Sequence, residues 1–141
     1  MSYDKILLPV AGTRHHERSS KALAHALRLK PTHITVLHAI DPLSKVVGGE
    51  AHAELLREAT AEALTRLSPL LNAIENAGVE YSVRVLEGTP ADTIIKASHE
   101  GDCDIIVMFT DGRDGIEDML IGSITERVLR NTDLPLLAVR K

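Results

Sequence analysis

A chain of 141 residues, 44% hydrophobic and 26% charged, is sized for one folded domain with a substantial core. With aromatics at only 2%, that core must be built from Leu, Ile, Val and Ala. The 16 basic and 20 acidic residues leave a net charge of −4 with no Lys/Arg run, which argues against a nucleic-acid or anionic-membrane binder.

The single Cys103 excludes an internal disulfide framework and a thiolate metal cluster, and is expected to pack as a small apolar residue beside a buried strand. No apolar run approaches the ~18 residues a membrane span needs. The start, "MSYDK", enters a strand without the features of a secretory signal, so a cytoplasmic location is expected.

In chain order, "KILLPV" (5–10) is a continuous apolar run, as expected of a strand covered on both faces. Residues 15–29 read as a helix with Ala22, Leu23, Ala26 and Leu27 on one stripe, and "HITVLHAI" (33–40) as a second strand. After the loop "DPLSKVVGGE", Leu55, Leu56, Ala59, Ala63, Leu67, Leu70, Leu71 and Ile74 recur at helical spacing. Pro69 interrupts that pattern, so Ser68-Pro69 is expected either to open a second helical piece or to mark a kink. Gly78 supplies the stop.

"VEYSVRVL" (79–86) alternates as a third strand. "TPADTIIKASHEG" (89–101) reads as a helix with Thr89 as cap, Pro90 at the first position, Asp92 three residues after the cap and Gly101 at the end. "CDIIVMF" (103–109) is a fourth strand, Ser123 to Arg130 a last helix, and "LPLLAVR" (134–140) a fifth strand. The alternation predicts an α/β fold: a three-layer, doubly wound, Rossmann-like parallel sheet of five strands in order 3-2-1-4-5, with helices on both faces.

Ligands of such sheets collect beyond the carboxyl ends of the strands, where the strand order reverses. Three loops leave those ends: "PVAGTRHH", "HAIDPL" and "MFTDGRDG". A helix opening at Gly122-Ser123 would present unpaired N–H groups and the positive end of its dipole, with hydroxyls from Ser123 and Thr125 and charge from Arg113. The same residues also read as turns at Gly112 and Gly115 and a helix cap at Ser123. Neither a Walker A sequence nor the three-glycine dinucleotide fingerprint is present.

The stretch from Met108 onward, with Gly112, nine residues, then Gly122-Ser123, resembles the second half of the nucleotide motif of the universal stress protein family. The likeness extends through "YDKILLPVAGT", "ITVLHAID" and "GSITERVLRNTDLPLLAVRK", essentially the whole chain. It implies that Pro9, Val10 and Ala11 line a nucleoside pocket, and that Ala39 and Met108 contact the base. Gly112, Gly122, Ser123, Ile124 and Thr125 would meet the phosphates, partly through backbone amides.

Two positions depart from the family pattern. Phe109 stands where the motif has its first glycine, and Ala11 where an aspartate usually follows the first strand. A lost carboxylate hydrogen bond costs about 1.5–3 kcal/mol. A positive φ at Phe109 would add roughly 1–2 kcal/mol. Alternatively the ring turns inward as core or stacks on a different base.

His15-His16 read as surface residues at a helix start, His38 as a satisfied, partly buried imidazole, and no HExxH spacing occurs. Ser19-Ser20 lacks a nucleophile elbow. Asp111, Asp114, Glu117 and Asp118 read as solvated loop carboxylates, with a divalent-cation role as the alternative. The resemblance implies a cytoplasmic, non-catalytic stress-response sensor that binds ATP or another adenine nucleotide, with or without Mg²⁺. It also implies a homodimer, with the last strand an apolar edge suited to pairing with its mate, and a protein partner not readable from sequence. Two rivals stand beside it: a dimeric interaction module that has lost nucleotide binding, and a slow metal-dependent nucleotide hydrolase.

Overall fold

The computed structural model describes residues 3–10, 16–42, 48–110 and 122–140. In chain order these form β1 (Lys5–Pro9), α1 (His16–Arg28), β2 (His33–Ile40), α2 (Glu50–Asn76), β3 (Glu80–Glu87), α3 (Pro90–His99), β4 (Ile105–Phe109), α4 (Ser123–Asn131) and β5 (Leu136–Val139). All strand pairs are parallel and the sheet order is β3-β2-β1-β4-β5, as expected from the alternation of elements. Element ends differ from the periodicity reading mostly by one or two residues. The exception is α2, which begins five residues before its first leucine because its opening turn is polar and mostly exposed.

The continuous apolar strands supply side chains to two cores at once. Ile6, Leu8, Ile34, Val36, Ile105 and Val107 pack against Ala22, Leu23 and Ala26 of α1 and Leu67, Leu70, Leu71 and Ile74 of α2. Their alternates Leu7, Leu37, Ile106 and Met108 pack against Ala91, Ile94 and Ala97 of α3 and Val128 of α4. Helices α1 and α2 therefore cover one face of the sheet, and α3 and α4 the other. Cys103 lies buried in the second cluster; burial pushes its thiol pKa up, against a hydrogen bond with Thr35 that lowers it.

No second helical piece starts at Ser68: α2 runs through Pro69 from Glu50 to Asn76. Proline has no N–H for the carbonyl of Thr65, four residues back, and the Ser68 hydroxyl donates to that oxygen at 2.8 Å instead. The end of α2 is as expected. Gly78 has φ 75°, its N–H bonds the Glu75 carbonyl at 2.9 Å, and the Val79 N–H reaches back to Ile74 at 3.3 Å. A Cβ at Gly78 would meet nothing within 4 Å, so Gly78→Ala is expected to cost about 1–2 kcal/mol from backbone conformation alone. Urea unfolding checks this, and an unchanged midpoint would contradict it.

The capping box expected at α3 does not form. Thr89 is the N-cap and Pro90 the first helical residue, but the Thr89 side chain makes no cap hydrogen bond. Asp92, rather than reaching back, pairs with Arg127 of α4 at 2.7 Å, a charge-assisted contact across the two helices.

Candidate functional site

The carboxyl ends of the central strands meet at the reversal point between β1 and β4. From β1, β2 and β4, Pro9, Val10, Leu37, His38, Ala39, Met108 and Phe109 line a single cavity of 370 Å³, within the range of small-molecule sites. Helix α1 adds Arg18, Ser19 and Ala22, α3 adds Pro90, Thr93 and Ile94, and the α4 start adds Gly122, Ser123, Ile124 and Thr125. Of the residues expected at a site, Pro9, Val10, Ala39, Met108, Gly122, Ser123, Ile124 and Thr125 thus share one cavity. Ala11, Gly112 and Arg113, like Asp111, Asp114, Gly115, Glu117 and Asp118, lie outside the described residues.

The α4 start differs from expectation in one respect. Gly122, not Ser123, is the N-cap, with φ −57° and ψ 152°. Its N–H already donates to Thr110 Oγ1 at 3.0 Å, so the Gly122 amide is engaged within the protein. The helical ladder begins with the Glu126 N–H on the Gly122 carbonyl at 2.9 Å. That leaves the N–H groups of Ser123, Ile124 and Thr125, the first turn, without intrahelical acceptors. Thr125 is 2% exposed and lines the cavity. A threonine lining the cavity beside amides without intrahelical acceptors, at a dipole's positive end, suits an anionic group.

Phe109 carries no backbone strain. Lys30, at φ 54°, is the one non-glycine residue with positive φ among those described, so the strain expected at position 109 is absent. The reason is that Phe109 still belongs to the sheet: it pairs with Val139, and the Thr110 N–H donates to the Val139 carbonyl at 2.8 Å. The half-buried ring packs against the core on the α1/α2 face, and the Arg18 guanidinium sits 5.7 Å from its centroid. It is both core and cavity wall.

His38 is the satisfied imidazole expected: half-buried, with Nδ1 donating to the Val10 carbonyl at 3.1 Å. The Val10 N–H donates to Leu37 at 2.8 Å, so both bonds hold the end of β1 against β2. Arg18, Thr110 and the α3 residues were not read from the sequence as site residues, and Ser19 was weighed only as a nucleophile. The topology did offer a signal for α3: the chain from edge strand β3 must return across β2 and β1 to reach β4, which brings this helix to the reversal point.

These features define a doubly wound α/β protein with a ligand-sized cavity at its strand reversal, bounded by a helix N-terminus. The chain belongs to the universal stress protein family, whose sequence profile matches residues 2–140. A universal stress protein of Methanocaldococcus jannaschii is 33% identical over 148 residues, covering 99% of this chain and 83% of its own. A second from the same organism is 26% identical in its solved structure, with TM-score 0.77 over 100% of this chain and 98% of that one. The fold also matches an Arabidopsis thaliana family protein with AMP bound (TM-score 0.66, 17% identity, 98% and 92% coverage). A universal stress protein in complex with cAMP matches as well (TM-score 0.56, 21% identity, 99% and 98% coverage).

Proposed function

We propose that this chain binds an adenine nucleotide in the cavity and acts as a non-catalytic, cytoplasmic stress-response sensor. The observation that carries the reading is the α4 start: three amides without intrahelical acceptors, those of Ser123, Ile124 and Thr125, on residues that all line the cavity. The AMP- and cAMP-bound members of the family support the ligand class. Pro9, Ala39 and Met108 offer an apolar wall for the base, and Ser123, Ile124 and Thr125 the phosphate end. ATP, ADP and AMP are all candidates, with Mg²⁺ accompanying the longer chains, as is a homodimer joined along the edge strand β5.

Isothermal titration with ATP, ADP and AMP, with and without Mg²⁺, is expected to give saturable heat with at least one of them. Silence with all three at high concentration would leave a family member that works only through protein contacts. Light scattering is expected to return twice the chain mass, and a monomer would remove the β5 pairing.

A further inference from the structure

The link between Gly122 and Thr110 has a use beyond closing a turn. Gly122 has no side chain with which to cap α4, so the direction of its peptide is fixed from outside the helix. Thr110, 7% exposed, does this through Oγ1 at 3.0 Å, while its own N–H is anchored on the Val139 carbonyl at 2.8 Å. One side chain thereby ties the ends of β4 and β5 to the mouth of α4, across 12 positions of sequence. Thr110 is not among the described residues that line the cavity.

We propose that Thr110 is a positioning residue for the anionic end of the ligand. By accepting the Gly122 N–H it sets the first turn of α4 so that the N–H groups of Ser123, Ile124 and Thr125 converge on one phosphate group. The inference rests on the nucleotide reading above. Loss of the hydroxyl leaves the Gly122 amide without its acceptor and lets the turn rotate, which misaims all three donors.

The test compares Thr110→Val, nearly isosteric but without the hydroxyl, with Thr110→Ser, which keeps it. ATP dissociation constants are expected to rise about tenfold in Thr110→Val, the effect of one lost hydrogen bond and its consequences, and to stay near wild type in Thr110→Ser. Amide hydrogen exchange at Gly122 in the wild-type protein without nucleotide is expected to be protected, a measurement independent of whether the valine variant folds. Fast exchange there, or equal ATP affinity in all three proteins, overturns the proposal while the nucleotide reading stands. A wild-type protein that binds no nucleotide overturns both.

Discussion

Ser123→Asp is expected to weaken ATP binding by roughly 30- to 1000-fold while leaving the protein as stable as before or slightly more so. The two effects have opposite signs because one carboxylate meets two different partners. At the first position of α4 it faces unpaired N–H groups and the positive end of the helix dipole, an interaction worth about 0.3–1 kcal/mol to the folded state. A phosphate held by the same turn would lie within about 4 Å of it, and repulsion there is about 4 kcal/mol at an effective dielectric near 20. Ser123 is exposed, so solvent screening lowers that to about 2–4 kcal/mol, hence the range. Titration calorimetry and urea unfolding on the same preparation read both signs. Affinity within threefold of wild type would move the phosphate away from α4, whatever the stability.

The layered architecture was legible because its physics is local. Strands covered on both faces must be apolar throughout, and "KILLPV" and "DIIVMF" could not have been otherwise in a sheet sandwiched by helices. The strand order followed from alternation with helices. What escaped was whatever depended on one side chain answering another.

Pro69 looked like a break because the rule concerns the missing N–H; the Ser68 hydroxyl that satisfies the stranded Thr65 carbonyl carries no periodic signal. Asp92 matched a capping pattern, but an arginine 35 positions on offered it a stronger partner. At the site, the strand ends marked the loops that matter, and the family likeness pointed to Pro9, Ala39 and Met108, which do line the cavity. Thr110 was not legible, since its role is a bond to a residue on the far side of a loop. The family pattern also misled at Phe109: a glycine in a motif suggested a demand for positive φ, and the backbone there is ordinary strand.

That correction changes what Phe109→Gly should do. With no strain to relieve, the substitution removes a half-buried ring from the α1/α2-face core, the platform beneath Arg18, and strand propensity. The expected cost is about 2–3 kcal/mol of unfolding free energy, taking roughly half the usual loss for a buried phenylalanine plus the glycine penalty. The gain in ATP affinity is expected to be less than tenfold, because the ring packs toward α1 whereas the amides proposed to hold the phosphate belong to α4, on the opposite face of the sheet. Ala11→Asp is the contrasting change. It restores a charged hydrogen-bond acceptor where the family carries one, at about 1.5–3 kcal/mol, which is roughly 10- to 150-fold in affinity. Calorimetry on the two single variants and the double variant separates the contributions. A larger gain from Phe109→Gly than from Ala11→Asp would show that the ring obstructs the ligand, and would place the nucleoside on the α1 side of the cavity, beside Arg18 and Ser19.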